Sequence, residues 1–364
     1  MIPFAKPDIR PEDIFSVMDL LRTSDRLTDG DQCRMFEFEF KNYLSADYCL
    51  TTSSCMSALH LAYLTLELKP GDEVICPTMS HVATAHAIEL VGATPVFVDC
   101  NEVNGNIDIY QIEKNITRKT KAITLVHYIG VPCHMDEINS LAKAYDLKVI
   151  EDCALSLGSK LGWKYTGTLS DIAAFSFYPS KHLTTGEGGM FVCKDIEIYN
   201  KAKSIRSFGK QGGNYDYDIK YLGSNFRMSE MQASLGIDQL VRIEEYKKKR
   251  QENYKLYVKH GVVSFIDIDP DVSPYCFCVK FETKVIRDKI VEYLKKNDIG
   301  CSIYYPHPIS RLSYYKNKYG FQQKLFPNAI VIADNTIALP VGQHINEKEV
   351  KYICDKIGEG LNNI

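Results

Sequence analysis

Between residues 70 and 154 the chain alternates two kinds of segment, and that alternation leaves few folds open. Short runs of near-continuous apolar residues (EVICP, ATPVFVDC, KAITLVHY, LKVIEDCA) are separated by HVATAHAIELVG, DIYQIEKNI and MDEINSLAKAYD, which read as helices. A strand that is apolar on both sides has to be covered on both faces. The pattern therefore predicts an α/β fold, a mostly parallel sheet sandwiched by helices. In such sheets ligands bind beyond the carboxyl ends of the strands. His81, His127, Glu151 and Asp152 stand at those ends. Asp99 is placed the same way and reads more simply as a helix cap or turn residue.

The next strand leads to a lysine. Residues 172–178 (IAAFSFY) are an apolar run stopped by Pro179; Lys181 follows, then the GEGG turn at 186–189 and a second apolar run at 190–192. A lysine tethered between a buried strand end and a glycine-rich turn can be desolvated, which keeps its amine neutral and able to attack a carbonyl. The alternative is a solvated lysine in a hairpin. Upstream, LTTSSCM runs into the helical SALHLAYLTLEL and puts Ser54, Cys55 and Met56 at a helix N-terminus. Free N–H groups there suit an anion, typically a phosphate. Serine caps also begin many helices that bind nothing.

Around this centre, residues 1–48 read as a lead-in and helices, with MFEFEFKNYL of helical length but alternating pattern. LGWKYTGTLSD (161–171) reads as a hairpin, and 211–223 as a polar loop. Residues 226–260 read as one long helix, bent near Gly236. A boundary near residue 245 divides a large domain (1–245) from a small α+β domain (246–364). The latter reads as strand SPYCFCVKF, helix VIRDKIVEYLKKN, strand CSIYYP, a loop to about 335, strand TIALP and a final helix.

Bulk properties exclude several classes. The net charge of −3, with 24% charged residues, gives no electrostatic case for nucleic acid or an anionic membrane. No apolar run approaches the ~20 residues of a membrane span, and the first residues lack a signal peptide's apolar core. The twelve cysteines are scattered without a CxxC pair, and Cys133-His134 has no second pair at zinc spacing. A reducing cytoplasm without a structural metal is the expectation.

Four features converge: Asp152 closing one strand, Lys181 at the end of the next, the helix start at 53–57, and the ring of His81. Pyridoxal phosphate calls for such a set. It has an aldehyde for a lysine, a phosphate for a helix N-terminus, a pyridine nitrogen that a carboxylate keeps protonated, and a flat ring. The stretches TSSCMSALHLA, KPGDEVICPTMSHVATAHAI, GATPVFVDC, VIEDCALSLGS, AFSFYPSKHLTTGEGGM and LGSNFRMSEMQASLGIDQL together resemble the DegT/DnrJ/EryC1/StrS sugar aminotransferases. These are fold-type I pyridoxal phosphate enzymes, with an aspartate aminotransferase-like fold.

The resemblance implies roles residue by residue. Lys181 would be the Schiff-base lysine and the acid/base, and Asp152 the partner of the pyridinium nitrogen. Ser176 would bind the phosphate together with Ser54 and the amides of Cys55 and Met56. His81 would stack on the ring. Asn225 would reach the phosphate of a neighbouring subunit, which implies a homodimer with shared sites. L-Glutamate would be the donor, leaving pyridoxamine phosphate, and a nucleotide-linked keto-deoxysugar the acceptor, in surface or secondary glycan biosynthesis.

Two positions depart from the family pattern. Ser54-Cys55-Met56 replaces Ser-Gly-Thr and loses the threonine hydroxyl. Leu155 stands where Gln, His or Glu is common. Some relatives carry histidine in place of the lysine and dehydrate keto-sugars; here Lys181 holds that position and His182 lies one place later. A phosphate P-loop is excluded because the lysine precedes the glycine turn. Two alternatives stay open: a small phosphorylated ketose as acceptor, and a non-catalytic cofactor-binding regulator.

Overall fold

The computed structural model describes residues 1–212 and 217–363. The expected loop over 211–223 lies partly outside these residues. Its described ends pair as a short ribbon, Lys210–Gly212 against Tyr217–Ile219.

Seven strands form the central sheet: β1 (Tyr48–Thr52), β2 (Glu73–Pro77), β3 (Thr94–Val98), β4 (Thr120–Val126), β5 (Lys148–Asp152), β6 (Ile172–Ser176) and β7 (Gly189–Cys193), in the order β1-β7-β6-β5-β4-β2-β3. The pairs β2–β3, β2–β4, β4–β5 and β5–β6 are parallel. Only β7 runs against its neighbours, pairing antiparallel with both β6 and β1. The mostly parallel sheet is thus as expected.

The period of two along each strand divides the core. Val74, Ala122, Ile150, Ile172 and Ala174 face one side, under helices α3 (Cys55–Thr65) and α4 (Val82–Leu90), which follow α1 (Pro11–Thr23) and α2 (Asp31–Leu44) in the chain. Ile75, Ile123 and Val149 face the other, together with Ile112 and Ile138 from the short helices Ile109–Lys114 and Met135–Ala144. Ala173 and Phe175 meet Phe36 and Phe40 of the helix Asp31–Leu44 on that second side. The alternating segment MFEFEF is therefore a helix. Phe36 and Phe40, four apart, are buried with ring centroids 5.3 Å from Phe177 and 5.1 Å from Phe175, while Phe38 stays exposed.

The long helix differs from expectation. It divides at Arg242 (φ −97°, ψ 3°) into Glu230–Val241 and Ile243–Lys259, and Gly236 is not the bend. Gly236 serves contact instead: a Cβ there would lie 2.6 Å from the Phe36 ring, so only glycine lets these two helices approach so closely. The break at Arg242 is tied down by its guanidinium, which pairs with Asp13 at 2.7 Å and donates to the Tyr246 hydroxyl at 2.9 Å.

The C-terminal part is a two-stranded antiparallel ribbon, Phe277–Lys280 with Thr336–Leu339, packed against the helices Lys284–Lys296 and Glu347–Asn362. Ile2 pairs with the segment after the first of these helices, through hydrogen bonds with Asp298 and Gly300. CSIYYP is not a strand. Only Ser302 bridges to Ala338, and the chain then turns to pack Tyr304 edge-to-face on Tyr275 and tilted against Phe4. Its aromatic, β-branched composition reads as a strand, and tertiary packing overrides that.

The supposed loop to 335 contains two helices, Ser313–Tyr319 and Pro327–Asn335. Asp99 accepts hydrogen bonds from the Asn328 and Ala329 amides at 3.0 and 2.9 Å, so it is indeed a helix cap, for a helix about 230 residues later. We propose the domain division near residue 245, just inside the helix Ile243–Lys259. Asp99→Ala should lower stability by about 1–2 kcal/mol in urea unfolding, because it orphans two amides at a helix start.

Candidate active site

Asp152 ends β5 and is nearly fully buried. Its Oδ2 accepts from the Thr84 hydroxyl at 2.9 Å; its Oδ1 accepts from the Ala154 amide at 3.1 Å and faces the Cys55 thiol at 3.9 Å. Cys55 is the first residue of α3, so the carboxylate at the end of β5 lies against the start of that helix. Ser54 caps the helix by accepting from the Ser57 amide at 3.1 Å, and the hydroxyls of Ser53 and Ser54 each meet that of Ser57 at 2.9 Å. The amides of Cys55 and Met56, in the first turn, have no intrahelical acceptor. Burial pushes the Cys55 thiol well above its ordinary pKa, with the Asp152 charge adding to the effect.

Lys181 lies five residues beyond β6, on a loop folded back onto its own strand. The Lys181 amide donates to the Tyr178 carbonyl, Thr185 to that of Phe177, and Phe177 to that of Gly188. The Lys181 amine sits 5.1 Å above the centre of the Tyr275 ring. Burial lowers its pKa from the usual lysine range, and the Asp152 charge only partly opposes this. The amine is thus biased towards its neutral, nucleophilic form. Arg250 donates to the Pro274 and Tyr275 carbonyls and reaches the Lys181 carbonyl at 3.5 Å, joining the lysine loop to the C-terminal part.

Ser176 stands opposite Gly189 across the β6–β7 pair, and Gly189 in turn abuts the start of α3. A Cβ on Gly189 would lie 2.5 Å from the Ser54 carbonyl carbon and 2.6 Å from the Cys55 nitrogen. Strand end, glycine and helix start therefore form one wall, with Ser176 Oγ accepting only a long 3.4 Å bond from the Tyr178 amide.

His81 caps α4, its Nδ1 accepting from the Ala83 amide at 3.2 Å, and its ring centroid lies 6.1 Å from that of Tyr305. Burial, followed by repulsion from Lys181, lowers its pKa. The structure thus brings together Ser54, Cys55, Met56, Asp152, Ser176 and Lys181, with His81 beside them. Asn225 is exposed on the single chain, next to Phe226, whose carbonyl accepts from the Ser53 amide at 2.8 Å.

The other polar strand ends have a different task. Glu151 points to the opposite face from Asp152 and accepts hydrogen bonds from His127 Nε2 (2.9 Å), from the amides of Gly167, Leu169 and Ser170, and from the Ser170 hydroxyl. Burial works to raise its pKa, but the His127 hydrogen bond and these donors hold it below the usual range. His127 Nδ1 accepts from the Cys133 amide, so its proton sits on Nε2. His127, Glu151 and Cys153 bring atoms of ligating type within 4.8 Å, yet the carboxylate is already occupied in fixing the turn after the 160–165 hairpin.

Sequence reasoning missed Thr84 and Tyr275. A hydroxyl in the first turn after a strand end was a usable signal for Thr84; nothing local marks Tyr275, which arrives from the C-terminal part. Both departures from the family pattern turn inward: Leu155 is fully buried beside Tyr128 and Tyr275, and Met56 packs on the core beneath α3. Gly189→Ala should cost about 1–3 kcal/mol in urea unfolding, because backbone stands where the methyl would go. Gly358→Ala, where a Cβ meets nothing within 4 Å, should not destabilise the protein.

Known proteins with this arrangement are numerous. The model of the DegT/DnrJ/EryC1/StrS aminotransferase family matches residues 7–358. GDP-perosamine synthase of Escherichia coli O157:H7 is 34% identical over 98% of both chains. The dTDP-3-amino-3,6-dideoxy-alpha-D-galactopyranose transaminase of Aneurinibacillus thermoaerophilus is 32% identical over 98% of this chain and 99% of its own. Among solved structures, the putative sugar aminotransferase Spr1654 of Streptococcus pneumoniae in its PMP form superposes with a TM-score of 0.94 at 28% identity, over the full length of both chains. With the fold and its lysine–aspartate site in place, the chain belongs to the DegT/DnrJ/EryC1/StrS aminotransferase family.

Proposed function

We propose that this pyridoxal phosphate-dependent aminotransferase moves an amino group from L-glutamate to the keto carbon of a nucleotide-linked keto-deoxysugar, for surface or secondary glycans. The products are 2-oxoglutarate and the amino sugar. The observation that carries the reading is the enclosed Lys181 amine, over the Tyr275 ring and in the field of Asp152, beside an open helix N-terminus. The named relatives act on nucleotide sugars, which supports the acceptor class.

The residues fit the cofactor. Two free amides at Cys55 and Met56 and the hydroxyls of Ser54 and Ser176 suit a phosphate, in a cradle that a Gly189 side chain would fill. Bound there, the cofactor supplies an aldehyde for the lysine and a ring that accepts the electron pair released when the donor's Cα loses its proton. Lys181 would hold the cofactor covalently, and its amine would carry the donor's Cα proton as general base and then acid. Asp152 would keep the ring nitrogen protonated, and His81 would pack on the ring.

A second copy of the chain completes the site through Asn225. The helix Pro11–Thr23 exposes Ile14, Phe15, Met18 and Leu21, and the helix Asp31–Leu44 exposes Met35 and Phe38, apolar side chains available to such a copy. The twelve cysteines, all free, suit a reducing cytoplasm, and among the described residues no helix is long and apolar enough to cross a membrane.

Lys181→Ala should abolish the visible absorbance of the loaded enzyme and lower turnover by at least about 10³-fold; a mutant that keeps both would refute the assignment. Cofactor capture by the apo protein should rise with pH and level off below the usual lysine range, because the lowered pKa leaves the amine neutral there. Mixing Lys181→Ala with Asn225→Ala chains should restore up to about a quarter of wild-type activity if sites are shared between subunits, and none if they are not. Converting the enzyme to its pyridoxamine form with glutamate, then offering keto-sugars and phosphorylated ketoses in turn, identifies the acceptor by which compound restores the visible band.

A further inference from the structure

Asp152 does not stand alone, and the groups behind it form an ordered chain. The Thr84 hydroxyl donates to Asp152 Oδ2 at 2.9 Å, and the Ser80 hydroxyl lies 2.8 Å from Thr84 Oγ1. All three residues are almost wholly buried, Ser80 at 3%, Thr84 at 0% and Asp152 at 4% exposure. A carboxylate only accepts, and a hydroxyl has one proton. Thr84 has spent its proton on Asp152, so Ser80 must be the donor to Thr84. The direction is fixed: Ser80 to Thr84 to Asp152.

Ser80 lies three residues beyond β2, and Thr84 sits in the first turn of α4, three residues after its cap His81. The element that carries His81 thus also grips the carboxylate. On the other side, Oδ1 takes the Ala154 amide and the weak Cys55 thiol donor. Neither end of the carboxylate is free to rotate.

We propose that Thr84, with its rotor set by Ser80, is a positioning residue that orients the Asp152 carboxylate towards the ring nitrogen of the cofactor. Neither residue touches the reacting atoms. Their contribution is a fixed acceptor direction, which is worth more in a buried site than in water. The proposal rests on the assignment of Asp152 made above, and the test separates the two.

The variants are Thr84→Val, which keeps the shape and drops the hydroxyl, Thr84→Ser, which keeps the hydroxyl, Ser80→Ala, and Asp152→Asn. Each loaded enzyme is followed by cofactor retention on dilution and by the pH midpoint of its visible band. Thr84→Val should release the cofactor about tenfold more readily. It should also shift the midpoint upward, because a ring nitrogen that loses its proton repels a proton on the lysine nitrogen less. Thr84→Ser should restore both values to within about twofold, and Ser80→Ala should move both in the direction of Thr84→Val by less.

Wild-type values for Thr84→Val, or a Thr84→Ser variant as impaired as Thr84→Val, overturn the proposal. If Thr84→Val does not fold, wild-type values for Ser80→Ala overturn it instead. Impairment in Asp152→Asn alone leaves the aspartate assignment standing and removes Thr84 from it. Wild-type behaviour of Asp152→Asn removes both.

Discussion

The site depends on one backbone contact, where Gly189 of β7 touches the Ser54–Cys55 peptide at the start of α3. Because β7 runs antiparallel to β6, its first residue stands opposite the last residue of β6, Ser176. A hydroxyl at a strand end and the open amides of a helix are thereby placed side by side, with no side chain between them. The same reversal returns the chain from the lysine loop, so Lys181 is held beside the same wall. A methyl group at position 189 would separate these parts and give nothing in return.

A second constraint is the pleat of β5. Glu151 and Asp152 are adjacent acids at one strand end, and alternation sends them to opposite faces. Glu151 meets His127 and the amides of residues 167–170 and becomes a structural knot, its hydrogen-bonding capacity fully used. Asp152 meets Thr84, Ala154 and the start of α3, in a setting with room for one more partner. Two residues of the same charge, both buried, thus have different tasks because the backbone turns each towards different donors.

The C-terminal part closes the site with tyrosines. Tyr275 lies beneath the lysine amine and donates to Ser180 at 2.9 Å; it also shares a hydrogen bond of 2.7 Å with Tyr304. Burial of Lys181, and with it the lowered pKa, therefore depends on residues about 95 or more positions away. Arg250 fixes this arrangement from the helix Ile243–Lys259 by bonding to carbonyls on both sides of the join. Leu155 contributes only packing there, in a cluster with Tyr275.

The sequence by itself determined the strand–helix alternation, and with it the sheet and the carboxyl-end location of the site, because hydrophobic period is a local property. It also exposed Lys181, Asp152 and the Ser54–Met56 helix start, whose chemistry shows in residue type and neighbours. Tertiary structure decided the rest. CSIYYP has strand composition and is not a strand, because its tyrosines find better packing elsewhere. Gly236 resembles a hinge and is a point of helix contact, while the break falls at Arg242, which Asp13 holds from more than 200 residues earlier in the chain. Asp99 was legible as a cap, but the helix it caps lies in another part of the chain. Thr84 and Ser80 are ordinary residues until folding sets them behind Asp152, since the direction of a hydrogen bond depends on partners that sequence spacing does not reveal.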